Sequence, residues 1–425
     1  MKLAAILASL LLVSPTGAGP GTAAGDSGRL LRIAEQCRQR AERIRGIRAR
    51  RPIRWKVASR DEILQYVLGV LKKQYAPGEL EAEGKTLQAL ELVAGGIDYR
   101  GFMLDLLKEQ IGGVYDPVAE IFYLADWLPE QFQETIIVHE VTHALQDQAY
   151  QIDDFLDRKP GNSDAMLARS AVAEGEATLV MMIDAMQQAG TSLGADEIAA
   201  MSESGSMLEI LSKVAFPSFS SAPPAIRKSL MFPYLKGLRF VASAKKKGGW
   251  KAMDRVYADL PRSTEQILHP EKYLANRDEP TEVRIERLDL SNEWKRVNED
   301  VLGEFGMGLL LEPLDEDERQ AAAAGWDGDR LLVYEKGKNL AWISLSVWDS
   351  ERDATEFAAS FAKAAMKRHP KFGVEVPDGK TVMILRGDGK TVWIERSGAK
   401  VVVLHGFAYP FAKSLRDSVL GATAR

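Results

Sequence analysis

The spacing of apolar and polar positions divides the chain into a helical first part and a mixed second part. Apolar residues recur with helical spacing in five segments, at 28–50, 129–148, 163–187, 196–215 and 225–247. After about residue 285 the pattern changes to short runs of β-branched and aromatic residues separated by tight-turn sequences. We therefore predict an α+β protein with a mainly helical domain at 25–285 and a smaller α+β domain at 286–425.

Short strand signals interrupt the helical part. Arg54–Val57 predicts a strand, and Ser59 followed by Glu62 has the spacing of a capping box that opens a helix. Residues 112–115 and 121–124, joined by an Asp-Pro turn, predict a β-hairpin. The larger domain should therefore contain a small sheet.

The first 24 residues predict a signal peptide. Lys2 is followed by an apolar run at 3–13 that is too short to span a bilayer, and small residues allow cleavage after Ala18 or Ala24. An uncleaved membrane anchor is the alternative. No later segment is long and apolar enough to cross a membrane, so we expect a secreted or periplasmic protein with no stable membrane insertion after cleavage.

Charge and cysteine content narrow the classes of partner. The net charge of −5 gives no general attraction to nucleic acid, so we expect no nucleic-acid partner. Ten arginines lie between Arg29 and Arg54, which favours a solvated helix face over a surface for anionic lipid or for acidic groups of the protein. Cys37 is the single cysteine, which excludes an intramolecular disulfide, and its apolar helical neighbours predict a buried thiol.

The residues with the clearest chemistry are His139-Glu140-Val141-Thr142-His143, an HExxH sequence inside a predicted helix. Positions i and i+4 lie on one helix face, so both imidazoles can reach one metal ion. Two neutral imidazoles and one carboxylate suit Zn²⁺ and leave a position for water. Glu140 is rotated away from His139, which suits a general base beside the metal.

A third ligand has to come from elsewhere, and the segment 171–177 offers Glu174 and Glu176 among small residues. The glycine between them, Gly175, would allow two helices to approach closely. The HExxH sequence with a downstream EGxA resembles the gluzincin branch of the zincin zinc metallopeptidases. The strings HEVTHALQDQ, FPYLKGLRF and STEQILHPEKYL resemble a group of uncharacterised exported bacterial proteins of this type, over about residues 50–280.

This resemblance implies a zincin-like metallopeptidase domain with a bound zinc ion. Carried over residue by residue, it implies His139 and His143 as metal ligands, Glu174 as the third ligand and Glu140 as the catalytic base. Glu176 is the competing ligand.

Supporting residues are less well defined by the sequence. Peptide hydrolysis needs a group that stabilises the oxyanion, and we predict His269 for this role, with Tyr234 and Arg239 as alternatives. Asp147 is either a partner of a ligand imidazole or an exposed helix carboxylate.

These observations predict a secreted zinc-dependent peptidase that acts on peptide or protein substrates. The strand at 121–126 is expected to hold an extended peptide by main-chain pairing. A metal-stabilised binding or scaffold protein with little or no turnover is the alternative, and hydrolysis of another amide or ester is a third possibility. The domain at 286–425 has no catalytic constellation, so we expect it to bind substrate, a protein partner or the catalytic domain. His369 and His405 are expected to be structural or exposed.

Overall fold

The computed structural model describes residues 24–110, 113–116, 119–125, 127, 130–152, 161–192, 194, 197–198, 200, 221–286, 288, 290, 293–377 and 381–420. The protein is a mixed α and β structure with two sheets, which agrees with the predicted α+β class. The predicted signal peptide, except for Ala24, and most of the predicted helix at 196–215 lie outside these residues. Within them, we find no helix with the length and apolar character needed to span a bilayer.

Helices dominate the chain before residue 285. They are α1 (Ala24–Arg45), α2 (Arg60–Gln74), α3 (Glu79–Ala89), α4 (Tyr99–Gln110), α5 (Glu130–Tyr150), α6 (Ser163–Gln188), α7 (Pro224–Ala258), α8 (Thr264–Leu268) and α9 (Glu271–Leu274). The capping box is confirmed, because Ser59 accepts the Glu62 amide and the Glu62 carboxylate accepts the Ser59 amide. The predicted segment at 225–247 lies within α7, whose helical backbone is interrupted at Gly248 and Gly249.

A three-stranded sheet lies beside these helices. Its strands are β1 (Arg54–Ala58), β2 (Gly113–Asp116) and β3 (Ile121–Ala125). The predicted hairpin is confirmed, since β2 and β3 pair in antiparallel fashion, and β1 adds to the other side of β3 in parallel. The expectation that this second hairpin strand holds an extended peptide is wrong: β3 is the central strand, so its neighbours already use the main-chain groups on both of its edges.

The second part of the chain is built on an antiparallel seven-stranded sheet. Its elements are β4 (Lys295–Asp300), α10 (Gly303–Leu310), α11 (Glu316–Ala323), β5 (Trp326–Lys336), β6 (Asn339–Trp348), α12 (Glu351–Arg368), β7 (Gly373–Glu375), β8 (Val382–Gly387), β9 (Lys390–Ser397), β10 (Lys400–Phe407) and α13 (Tyr409–Leu420). The strand order is β4-β5-β6-β10-β9-β8-β7. Ser350 caps α12, because its hydroxyl accepts the Asp353 amide.

Both faces of this sheet are covered. Alternate residues of β5 point in opposite directions, so Leu331 and Val333 belong to one apolar cluster while Leu332 belongs to another. Helix α12 packs on the first face and α13 on the second. The cluster under α12 also contains side chains of α2, α3 and α4, so a continuous core crosses the predicted boundary at 285/286. The two-domain division stays a prediction.

Helix α1 is attached to the protein through its cysteine and its arginines. The Cys37 side chain is buried, as predicted, and burial raises the pKa of its thiol to about 12. Arg40 forms ion pairs with Glu134 on α5 and Asp184 on α6. Arg40 therefore binds acidic groups of the same chain, which is one of the two alternatives to a solvated face, whereas Arg29, Arg32 and Arg43 on the same helix are exposed, as the favoured prediction has it.

Candidate metal centre

Helices α5 and α6 bring three potential ligands to one point. His139 and His143 lie on one face of α5, and their Nε2 atoms are 3.0 Å apart. Glu174 on α6 places its Oε2 3.2 Å from Nε2 of His139 and 3.4 Å from Nε2 of His143. All three side chains are buried. Two imidazole nitrogens and one carboxylate oxygen thus form a nearly equilateral triangle.

This triangle has the dimensions of a zinc-binding face. Zinc binds nitrogen and oxygen ligands at about 2.0–2.1 Å in a tetrahedron, which separates neighbouring ligand atoms by about 3.3–3.4 Å. The three observed separations, 3.0, 3.2 and 3.4 Å, lie close to that value. A His₂Glu set is also the ligand chemistry that zinc prefers in hydrolytic sites. The residues present therefore fit a zinc ion.

The position of Glu174 follows from a close helix crossing. A Cβ atom on Gly175 would collide with the backbone of Gly237 on α7, and one on Gly237 would collide with the carbonyl oxygen of Ala171 on α6. Glycine at both positions allows the two backbones to touch, as the sequence predicted for Gly175. The same crossing places Tyr234, one turn before Gly237, beside the site, with its ring centroid 6.1 Å from that of His139.

A hydrogen-bonded side chain fixes the orientation of His143. Gln146 donates through Nε2 to the Ala173 carbonyl (3.0 Å) and to the carboxylate of Glu176 (2.8 Å). Since both of these partners can only accept, the amide oxygen of Gln146 must face His143, whose Nδ1 lies 2.8 Å away. Nδ1 of His143 therefore carries a proton, which leaves Nε2 as the nitrogen available to a metal. Burial opposes protonation of this imidazole, but Glu174 raises its pKa to about 9, so a metal ion would bind Nε2 in place of a proton.

Glu176, the competing ligand in the sequence, is held by other groups. Its carboxylate pairs with the Arg45 guanidinium of α1 and accepts hydrogen bonds from Gln146 and from the Tyr257 hydroxyl (2.5 Å). Arg45 in turn binds Tyr150 and Asp254. Glu176 thus supports His143 through Gln146, and it is not one of the three residues whose ligand atoms converge.

Sequence reasoning missed Gln146 and Arg45. Gln146 lies three residues after His143, a spacing at which helix side chains meet, and this was the available signal. Nothing local in the sequence indicates that Arg45 reaches Glu176 across 131 positions.

Glu140 is buried on α5 next to the candidate ligands. Its carboxyl group is buried, and burial raises its pKa to about 8, although the nearby His143 opposes this shift. Burial lowers the pKa of His139, which favours the neutral, metal-binding imidazole. Burial alone would raise the pKa of Glu174, but the two imidazoles lower it and keep the carboxylate charged.

The remaining candidates lie in different places. His269 follows α8, and its Nε2 is 2.9 Å from Oε1 of Glu304 on α10. Within the described part of the chain, no hydrogen bond or ring contact joins His269 to His139, His143 or Glu174. Of the two alternatives, Tyr234 lies beside the site, whereas Arg239 donates to the carbonyl of Leu268. Asp147 is buried, so it is not an exposed helix carboxylate.

Comparisons with known proteins give limited matches. A family model described as a domain of unknown function (DUF8575) matches residues 287–416, which leaves the metal centre outside the match. No curated protein matches the chain. A crystal structure of a candidate hydrolase with a novel fold, from Chloroflexus aurantiacus, is 18% identical with a TM-score of 0.40 and covers 64% of this chain and 95% of that chain. A likeness at this level carries no argument about fold or activity.

Proposed function

We propose that the chain is an exported zinc-dependent hydrolase that cleaves peptide bonds, a metallopeptidase of the gluzincin type. The observation that carries the proposal is the buried triangle formed by His139, His143 and Glu174. The signal-peptide pattern at 1–24 supports export. A carboxylate on the metal-binding helix, Glu140, supports turnover, because a purely structural zinc site has no use for a base at that place.

Each residue has a distinct role in the proposed reaction. His139, His143 and Glu174 would hold the zinc ion, which would supply Lewis acidity for the hydrolysis of a peptide bond at neutral pH. The positive charge of an ion bound here would lower the raised pKa of Glu140, and the ionised carboxylate would then take the proton of the attacking water and return it to the leaving amine. Gln146 keeps the Nε2 lone pair of His143 directed at the ion.

We favour Tyr234 over His269 as the group that stabilises the oxyanion. The Tyr234 ring lies beside that of His139, and a phenol is a hydrogen-bond donor. The imidazole of His269 is bound to Glu304, which raises its pKa and ties it to α10. A role for His269 would require it to leave that partner.

Substrates of this site would be peptides or unfolded segments of proteins. Since β3 is central, main-chain pairing with a substrate could use only β1 or β2, the strands at the edges of the small sheet.

The experiment that tests the proposal compares Glu140→Gln with wild type on a peptide library. Glutamine has nearly the shape of glutamate, so Glu140→Gln should leave zinc content unchanged. Its amide cannot take up and return a proton at neutral pH, so turnover should fall by about 10²–10⁴-fold. Glu134→Gln on the same helix is the matched control, because Glu134 pairs with Arg40 on the surface and should leave turnover nearly unchanged.

Equal turnover by Glu140→Gln and wild type on every cleaved peptide would refute the assignment of the base. Stoichiometric zinc with no cleavage of any peptide would favour the metal-stabilised scaffold.

A further inference from the structure

A second group of side chains that can bind a metal ion lies on elements other than α5 and α6, which carry the proposed active site. The sequence contains five histidines, and two of them, His369 and His405, converge on Glu91. Nε2 of His369 is 3.1 Å from Oε2 of Glu91, and Nε2 of His405 is 3.7 Å from Oε1. The three residues come from different segments: the turn after α3, the end of α12, and β10.

Aromatic neighbours hold both imidazoles in place. The ring of His405 stacks on that of Trp342, with centroids 5.4 Å apart and planes 10° from parallel. The ring of His369 stacks on Phe372 at 4.5 Å. His405 is buried, which favours the neutral imidazole, the form that binds metal ions. The Glu91 side chain is about one-third exposed, so the group is open to solvent on one side.

The Glu91 carboxylate lies close to His369 but does not reach both imidazoles of this group at hydrogen-bonding distance. Nε2 of His369 is buried, and despite its short distance from Glu91 it has no aligned hydrogen bond among the described residues. Nε2 of His405 is beyond hydrogen-bonding distance of Glu91. One ligand atom from each of Glu91, His369 and His405 lies within 4.8 Å of the other two.

Another cluster of potential ligands in the same chain differs from this group, because it already contains a cation. Glu265, Asp278 and Asp349 also converge, but the ammonium group of Lys272 lies between them, 2.7 to 2.9 Å from each, so that cluster already holds its cation. Near Glu91 the corresponding cation is Arg368, which acts on the Glu91 carboxylate at a distance and forms no hydrogen bond to it in the described structure. Its positive charge should weaken metal binding without blocking it.

We propose that Glu91, His369 and His405 form a second metal site, which takes a divalent transition-metal ion of the zinc class and ties the turn after α3 to the seven-stranded sheet. Two imidazoles and one carboxylate suit zinc and its neighbours better than Mg²⁺ or Ca²⁺, which prefer oxygen ligands. The ion would be structural: it joins segments that are 278 and 36 positions apart in the chain. The proposal does not depend on the function of the first site.

The test uses the full mature chain without an affinity tag, stripped by a chelator and reloaded with Zn²⁺, with bound metal measured by mass spectrometry. Wild type should bind two zinc ions, and Glu91→Gln and His369→Gln should each bind one. His269→Gln is the matched control and should bind two, because His269 belongs to neither cluster. Glu91→Gln changes a partly exposed side chain, so it remains informative if His369→Gln fails to fold.

The double variant His139→Ala/His143→Ala separates this proposal from the first. One zinc that remains there and is lost on adding Glu91→Gln would support the second site. A wild type with a single zinc that disappears in the double variant would overturn it, as would full stoichiometry in Glu91→Gln.

Discussion

At the scale of single residues, a series of buried contacts links the candidate metal centre, from His143 through Gln146 and Glu176, to Arg45. Each contact fixes the hydrogen-bonding direction of the next. The series of contacts ends at the guanidinium group of Arg45, which does not lose its proton. The tautomer of His143 is therefore set from outside the ligand set.

Gln146→Ala should weaken zinc binding by about 10–100-fold, the usual effect of removing a partner of a ligand imidazole. Without Gln146 the His143 ring loses the acceptor that holds the proton on Nδ1. Competition with a chromophoric chelator measures the change in the dissociation constant. Gln148→Ala is the control: Gln148 is buried on the same helix but binds the backbone of Arg51, so zinc affinity should be unchanged. Equal losses in both variants would contradict the role of Gln146.

Glu174→Ala and Glu176→Ala should fail in different ways. Glu174→Ala removes a ligand and should abolish stable zinc binding. Glu176→Ala leaves the buried Arg45 without its main partner, which typically costs about 3–5 kcal/mol in the free energy of unfolding. Its zinc affinity should fall less than that of Glu174→Ala. Metal analysis and urea denaturation give the two readouts, and the opposite ranking of zinc loss would make Glu176 the ligand.

The sequence was sufficient to identify His139, Glu140 and His143 on α5. It was not sufficient to identify the residues that support them. HExxH has a fixed spacing on one helix, so His139 and His143 could be paired without knowledge of the fold. Arg45 is a long-range partner, and an arginine among ten carries no local signal that one of them is buried. His269 was chosen because a histidine is a plausible oxyanion donor, and sequence alone could not reveal its partner Glu304.

At the scale of elements, the crossing of α6 and α7 positions Glu174 and Tyr234. Its closeness depends on two glycines, because any Cβ atom at the crossing meets backbone that has no room to shift. Helices that touch in this way transmit a displacement of one to the other.

Gly175→Ala should therefore reduce both stability and zinc binding, although alanine is the better helix former. Forced overpacking typically costs about 1–3 kcal/mol, which exceeds the gain of about 1 kcal/mol in helix propensity. Gly69→Ala provides the control, since the space around Gly69 on α2 is open and the same substitution should stabilise the protein slightly. Thermal unfolding and metal content measure both variants. Stabilisation by Gly175→Ala would disprove the close crossing.

Elements with strong local signals could be predicted, and those defined by distant partners could not. The start of α2 followed from Ser59 and Glu62, and the strands β8 to β10 from their turns. Strand β4 consists mainly of charged and polar residues and has no apolar pattern, so the sequence did not indicate it. The central position of β3 depends on pairing with β1, which no residue near 121–125 indicates.

At the scale of the whole molecule, the apolar core connects distant parts of the chain. The apolar cluster under α12 includes side chains from both predicted domains, so we expect them to unfold together.

Removal of metal by a chelator should lower the midpoint of thermal unfolding. An ion that binds only the native state adds about 4 kcal/mol when its free concentration is 1,000 times the dissociation constant. For a protein of this size we expect a shift of several degrees, measured by scanning calorimetry. The shift should be much smaller in His139→Ala/His143→Ala, and any remainder should disappear with Glu91→Gln. An unchanged midpoint in wild type would exclude a bound structural or catalytic ion.

The parallel pairing of β1 with β3 bears on the order in which the chain folds. Arg54 pairs with Ile121 in the sheet, although α2, α3, α4 and β2 separate the two residues along the chain. By contrast, β2, β3 and α5 follow one another directly in the sequence. Closing a long loop costs entropy before its contacts form, so local pairs are made first. We expect the hairpin of β2 and β3 to assemble early with α5, and α1, which carries Arg45, to dock late. Helix α1 would then dock last, and its Arg45 would bind Glu176 after His139, His143 and Glu174 are already in place.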